Sequence, residues 1–433
     1  MERLNLTQSE RNAAPKIHRL PNGVRVVCDP MPGLQTLALS VVVGRGARSE
    51  PAHQNGWAHL LEHMVFKGAG DRSARDIVEA IEAEGGQINA ATGHERTSYQ
   101  VRALKGGLPL AMEVIADLIR RPVLDAGDLA REKLVISQEI AEAADTPDDL
   151  VFELAQAAAF EGHPLGRPIL GADATVGAAT RQTLAEFHAG LYAPDAIVVS
   201  AAGAVEEAEL LDLVERCFSA PAQGAPPAPS GPARFVGGAA PLVRALEQSH
   251  LVLLLPAPGL TDPDYFVLRL FAEILGGGMS SRLFQAVRED RGLAYAIDAF
   301  ADTHSDTGVL GIYAGAAAKD AAEAARLCAA EIHGLIGRVG DAELARAKAQ
   351  LKAATFMARE SALARAEQAA SQVLAFDRLF SVEETSADIE AVQAADLSRL
   401  GERLLSQRAS ACAVLGPKAA MKAATAFEAS LFG

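Results

Sequence analysis

The spacing of apolar positions changes period several times along the chain. Short β-branched runs at Val24–Val27 and Leu37–Val43, parted by a Pro/Gly turn at Asp29–Gly33, predict two strands. Apolar residues then recur at helical spacing around Ala58–Phe66 and from Ser73 to Glu84, where Gly85 and Gly86 stop the helix. A strand pair flanks the turn at Thr92–Gly93, and helical spacing resumes from Leu108 to about Phe160. The same order then returns. His250–Leu255 predicts a strand, Tyr265–Leu275 a helix, and Gly276–Gly278 a flexible connection. A helix from Arg282 to Glu289 stops at Gly292, strands lie near Tyr295–Phe300 and Val309–Ala314, and Ala-rich helices follow.

The two halves match residue by residue. Gly86, Asn89 and Ala90 set against Gly292, Tyr295 and Ala296, each group following a helix stop and opening a strand. Leu129, Arg131 and Lys133 set against Leu344, Arg346 and Lys348, a register that puts Glu139 opposite Ala354. This pattern predicts a duplicated α+β unit of two homologous halves. Between them Ser219–Gly238 is rich in Pro and Gly, with only Phe235 and Val236 as sizeable apolar groups, and reads as a linker. The expected domains are residues 1–218 and 239–433, joined by the linker at 219–238.

Composition narrows the class. The 433 residues carry a net charge of −15, which argues against nucleic acid and leaves room for basic or neutral partners. Met1–Asn5 leads into no apolar signal core and no stretch is long and apolar enough to span a bilayer, so the expected setting is the cytoplasm, without a membrane partner. Cys28, Cys217, Cys328 and Cys412 are scattered and read as reduced thiols.

The chemistry concentrates in the first half. His59, Glu62 and His63 fall at positions i, i+3 and i+4, which a helix puts on one face. Two neutral imidazoles suit zinc, and a neighbouring carboxylate that is not a ligand can take a proton from a zinc-bound water. A hydrolytic site needs a third protein ligand. Glu139 lies 76 positions after His63 on a helical run, with Glu132 two turns earlier on the same face, where a carboxylate can orient an imidazole.

His59, Glu62 and His63 followed by Glu139 resemble the inverted zincins of the pitrilysin/insulysin superfamily, and within it the short-chain bacterial branch similar to mitochondrial processing peptidase. The resemblance extends over Gly56–Gly68, Asn89–Thr92, Arg131–Ile140, Asp145–Asp149, Gly162–Pro168 and Leu275–Tyr295. It implies two αβ-sandwich halves forming a clamshell around a proteolytic chamber. It also implies a metalloendopeptidase with one Zn2+ per chain, bound by His59, His63 and Glu139. Glu62 is then the general base and Glu132 the supporting acid. Arg288 and Tyr295 look like the family's Arg–Tyr pair, reaching across from the second half to hold substrate and stabilise the oxyanion. Asn89 and Ala90 match the strand edge that binds extended substrate. A chain holding both the zinc set and the Arg–Tyr pair is expected to be a self-sufficient homodimer, gated by a hinge at the linker. The family also contains inactive scaffold subunits, but those lack parts of the zinc motif. No Gly-x-Ser-x-Gly occurs, and His94 and His163 sit by Gly or Pro as turn residues.

Overall fold

A computed structural model describes residues 15–221 and 224–433; Met1–Asn5 and residues 222 and 223 of the Pro/Gly-rich stretch lie outside the described residues. The first half opens with β1 (Ile17–Arg19), β2 (Arg25–Pro30), β3 (Thr36–Val43) and α1 (Trp57–Val65). A small ladder of β4 (Gly68–Ala69) and β5 (Arg72–Ser73) leads into α2 (Ala74–Ala83), which Ser73 starts by a capping box with Asp76. The hairpin β6 (Gln87–Thr92) and β7 (Thr97–Leu104) precedes α3 (Leu108–Arg120), α4 (Ala126–Asp145) and α5 (Pro147–Ala159). Then come α6 (Asp173–Gly177), α7 (Arg181–Leu191), β8 (Ile197–Gly203) and α8 (Glu207–Phe218).

The second half repeats the plan with β9 (Gly238–Val243), β10 (Ser249–Ala257), α9 (Tyr265–Gly276) and a π-helical turn at Phe284–Glu289. β11 (Ala294–Thr303) and β12 (Gly308–Ala316) form its hairpin, followed by α10 (Ala321–Leu335), α11 (Asp341–Ala358) and α12 (Ala362–Phe376). α13 (Val382–Ala391), α14 (Ala394–Ser406), β13 (Ala411–Gly416) and α15 (Lys422–Phe432) complete it.

The six-stranded sheet runs β1-β2-β8-β3-β7-β6 and the five-stranded sheet β9-β13-β10-β12-β11. In both, the first strand of the shared order pairs parallel with the second, and a free edge strand, β6 or β11, closes the far side. The duplication is therefore present in topology, and the molecule is a two-domain α+β clamshell. Register within the long helices agrees: Leu129, Glu132 and Ile136 are the buried positions of α4, and Leu344, Ala347 and Leu351 those of α11.

Each sheet is apolar on both faces, and its own half supplies helices for only one. The other face is covered by the opposite half. Val151, Ala155 and Ala159 of α5 pack on Val252, Leu254, Ala411 and Ala413 of the second sheet. Ala369, Ala370 and Val373 of α12 pack on Val27, Val42 and Val198 of the first. Arg365 of α12 fixes this contact by a paired grip on Asp29 of β2, both bonds 2.6 Å. α5 and α12 occupy equivalent places in the two halves, so the exchange is reciprocal.

Two expectations change. The Pro/Gly-rich segment is not a free tether: Val236 N–H donates to the Ala159 carbonyl at 2.8 Å, and Ala233 N–H to Asp306 at 2.9 Å. Its Ser230 hydroxyl accepts from Arg48 Nε at 2.9 Å. Hydrogen bonds to both halves, with Phe235 edge-on against Phe160 at 6.0 Å, order it. The Gly276 position is likewise set by packing, since a Cβ there would stand 2.3 Å from Ala299 N on β11.

The hairpin turns of the two sheets meet between the halves, with His94 and His304 rings 5.8 Å apart. Arg48 donates to both carboxylate oxygens of Asp306 at 2.7 Å and to Glu95 at 2.7 Å. That grip holds the Asp306 carboxyl down at about 2. A depressed carboxyl stabilises fully above its unfolded value and loses the contribution as pH falls through about 2. Asp306→Asn should therefore lower unfolding free energy by about 1–2 kcal/mol at pH 6, after screening of a partly exposed pair, and by roughly half as much at pH 3. Urea titrations at the two pH values check this; a difference that ignores pH refutes the assignment.

Candidate metal centre

α1 packs through Trp57, Ala58, Leu60, Leu61, Met64 and Val65, all buried, which turns His59, Glu62 and His63 to the remaining face. α4 crosses it and presents Glu132 and Glu139 two turns apart. His59 Nε2 lies 3.9 Å from one oxygen of Glu139 and His63 Nε2 3.7 Å from the other. These are too long for hydrogen bonds. One donor atom from each of the three residues falls within a 4.8 Å cluster. Tetrahedral ligands at about 2.0–2.1 Å from an ion stand about 3.3–3.5 Å from one another, so the donor set fits a small divalent metal.

The surrounding groups tune these donors. Glu132, almost fully buried, takes His63 Nδ1 at 3.1 Å and Lys67 Nζ at 2.9 Å. A carboxylate on Nδ1 leaves Nε2 as the lone-pair nitrogen. Burial, with His63 beside it, pulls His59 down to about 4, so its ring is neutral at pH 7. Among the described residues its Nδ1 is buried without a partner. Burial raises the Glu62 carboxyl, against the opposing pull of Thr92 and His63, and its Oε2 accepts no hydrogen bond.

A cavity of about 690 Å³ opens beside Glu62 and His63. Asn89 and Ala90 of the free edge strand β6 form part of its wall, as do Lys67, Arg102 of β7 and Leu363 of α12. The exchanged helix thus contributes to the site of the opposite half. Glu62 and Glu82 are balanced there by Lys67 and Arg102, so the wall carries no excess of acid.

The structure brings together His59, Glu62, His63, Glu132 and Glu139, with Asn89 and Ala90 nearby. Arg288 and Tyr295 are elsewhere. Arg288 lies over the rings of Phe284 at 4.6 Å and Tyr295 at 5.8 Å, and neither residue lines the cavity. Tyr295 is 76% exposed on β11, the matching edge of the second sheet. The sequence does not single out Lys67, although it lies within Gly56–Gly68, or Arg102, which a strand pattern does not distinguish from a solvated cation. Of the cysteines, Cys28, Cys328 and Cys412 are buried free thiols pushed up to about 12, and Cys217 is half-buried and free.

Comparison with known proteins agrees with this architecture. A family model described as insulinase (peptidase family M16) matches residues 25–173, and one described as the peptidase M16 inactive domain matches residues 178–351. An uncharacterized zinc protease of Mycobacterium tuberculosis is 37% identical over 411 residues, covering 93% of each chain. Another of Rickettsia felis is 35% identical over 402 residues, covering 93% of this chain and 97% of that one. The crystal structure of a protease from Helicobacter pylori superposes with a TM-score of 0.86 at 22% identity, covering 93% of this chain and all of that one, a likeness of fold. With relatives this similar along nine-tenths of its length and both models matching in order, the chain belongs to the insulinase family of peptidases, family M16.

Proposed function

We propose that this chain is a zinc-dependent endopeptidase acting on extended peptide segments, unfolded or presequence-like. One observation carries the reading: His59, His63 and Glu139 converge beside Glu62, whose Oε2 is buried without a hydrogen bond, on a cavity bordered by a free strand edge. The relatives named zinc proteases support the same class.

In this reading His59, His63 and Glu139 hold one Zn2+ per chain. Burial supplies the His59 imidazole neutral, so it has no proton to shed on binding, and the Glu132 carboxylate on His63 Nδ1 leaves Nε2 of that ring facing the site. Bound zinc polarises a peptide carbonyl and acidifies an attacking water. Glu62 receives the water's proton on its free oxygen and returns it to the leaving amine; its raised pKa suits both transfers. Lys67 braces Glu132, and Glu132 fixes the plane of His63. The β6 backbone at Asn89 and Ala90 takes the peptide as an added strand.

Arg288 and Tyr295 keep their assigned roles only in a homodimer, where the pair on one protomer faces the cavity of the other. Tyr295 on the exposed matching edge, with Arg288 in the turn before it and both off the wall of their own cavity, supports this reading. We place the enzyme in the bacterial cytoplasm, acting without nucleic acid or membrane; among the described residues no helix is long and apolar enough to cross a bilayer. A catalytically inactive scaffold of the same family would have no use for an unpartnered base beside three intact donors.

Glu62→Gln should keep about one zinc per chain and lose roughly 10²–10⁴-fold in kcat, whereas Glu139→Gln should lose the metal; metal analysis beside cleavage of an unfolded peptide decides. No cleavage by the unaltered protein sinks the enzyme in favour of the scaffold. Mixing inactive Glu62→Gln with inactive Arg288→Ala chains should restore roughly a quarter of wild-type activity, because half of the randomly formed dimers carry one complete site. Absence of any recovery, with subunit exchange verified, argues against the shared site. Because the cavity wall is balanced, preference for basic peptides rests on the −15 charge of the whole surface. Raising salt from about 0.05 to about 0.5 M should then lower kcat/KM several-fold for a basic peptide and not for an acidic one of equal length.

A further inference from the structure

Gly56 stands just before α1, with φ of 92° and no side chain to cap the helix it opens. Its first N–H groups are served from outside. Glu50, 2% exposed, accepts from Ala58 N at 2.6 Å on one oxygen, and from Gly56 N at 2.9 Å and Asn55 Nδ2 at 3.2 Å on the other. Arg167 donates to the Glu50 backbone carbonyl. Burial pushes the Glu50 carboxyl up to about 7 while the three donors pull it down. A carboxylate in this place also opposes the positive end of the helix dipole.

The same corner is bolted from its other side. Asn55 Nδ2 also donates to the Pro168 carbonyl at 2.9 Å, and Trp57 Nε1 to the Thr175 carbonyl at 2.9 Å. Gly56 and Gly171 interlock so closely that a Cβ on Gly171 would stand 2.4 Å from the Asn55 carbonyl oxygen. His59 follows Gly56 by three residues, less than one helical turn, and His63 by seven. Metal–ligand distances tolerate only about 0.2 Å, so a shift of even about half an ångström at this end would spoil the donor set.

We propose that Glu50 is a positioning residue for the metal centre: a buried carboxylate, supplied from outside α1, that fixes the start of the helix so that His59 and His63 arrive preset against Glu139. This rests on the reading of those three residues as zinc ligands. The function differs from that of a general stabilising contact, and the two are separable. Zinc affinity is measured by competition with a chromophoric chelator, beside urea unfolding of the zinc-free protein, for Glu50→Gln and for Ile77→Val. Ile77 is buried in α2 away from the corner, so its variant is weakened without touching the cap.

Glu50→Gln should bind zinc about 10–100-fold more weakly while its zinc-free form stays folded, and Ile77→Val should bind as wild type does. Unchanged affinity in Glu50→Gln overturns the proposal, and so does a loss in Ile77→Val that follows the loss of stability. Should Glu50→Gln fail to fold, Asn55→Ala, which removes one donor and the tie to Pro168, should still weaken zinc binding at least about threefold; no change there overturns it equally. Wild-type protein that takes up no zinc at all fails the ligand reading, and the proposal with it.

Discussion

Everything else in the molecule depends on one packing constraint: two sheets with apolar surfaces on both sides share helices, because neither half carries enough to cover its own. β8 and β13 are buried along their whole length, which is possible only with a layer on each face. The chain meets this by sending α5 forward onto the second sheet and α12 back onto the first. The relative placement of the sheets is then part of the core. It is not left to the Pro/Gly-rich connection, which is itself tied to both sides.

The metal centre inherits that rigidity. α1 is held by its buried apolar face and α4 by Leu129 and Ile136, while Glu132 bridges the two helices with one oxygen on His63 and the other on Lys67. Charged and polar groups that burial alone would penalise are thus paired or aimed at a common point. Among the described residues two atoms at the centre stay unpaired, Nδ1 of His59 and one buried oxygen of Glu62. Such a group is expensive to keep without a use.

Much of this was legible in the sequence, for reasons that differ by element. The spacing of His59, Glu62 and His63 fixes a common helix face whatever the tertiary surroundings, and the match of Leu129 with Leu344 carried the register as far as Glu139. β6 and β11 could be matched because glycine stops precede both. The helix exchange was not legible: an apolar stripe such as Val151, Ala155 and Ala159 records that a face is buried, not which sheet buries it. Nor does the sequence say which cavity Arg288 and Tyr295 face, since their spacing is local while their reach is set by the assembly. Glu50 gave one oblique sign, in that a helix opening at Gly56 lacks a capping side chain and must borrow an acceptor.

The exchanged helices also bear on how the protein is made. Residues 1–203 leave the ribosome with every strand of the first sheet present, yet the helix that closes its open face is not translated until residues 362–376. The nascent first half therefore carries bare valine surface at Val27, Val42 and Val198, and an orphaned α5, through most of synthesis. The final fold can be reached only late, by contacts spanning more than three hundred residues such as Arg365 with Asp29. A truncated copy of either half is, on this account, an aggregation hazard, because a domain cut from its partner keeps an uncovered sheet face, and chaperone demand should concentrate in the window before α12 emerges.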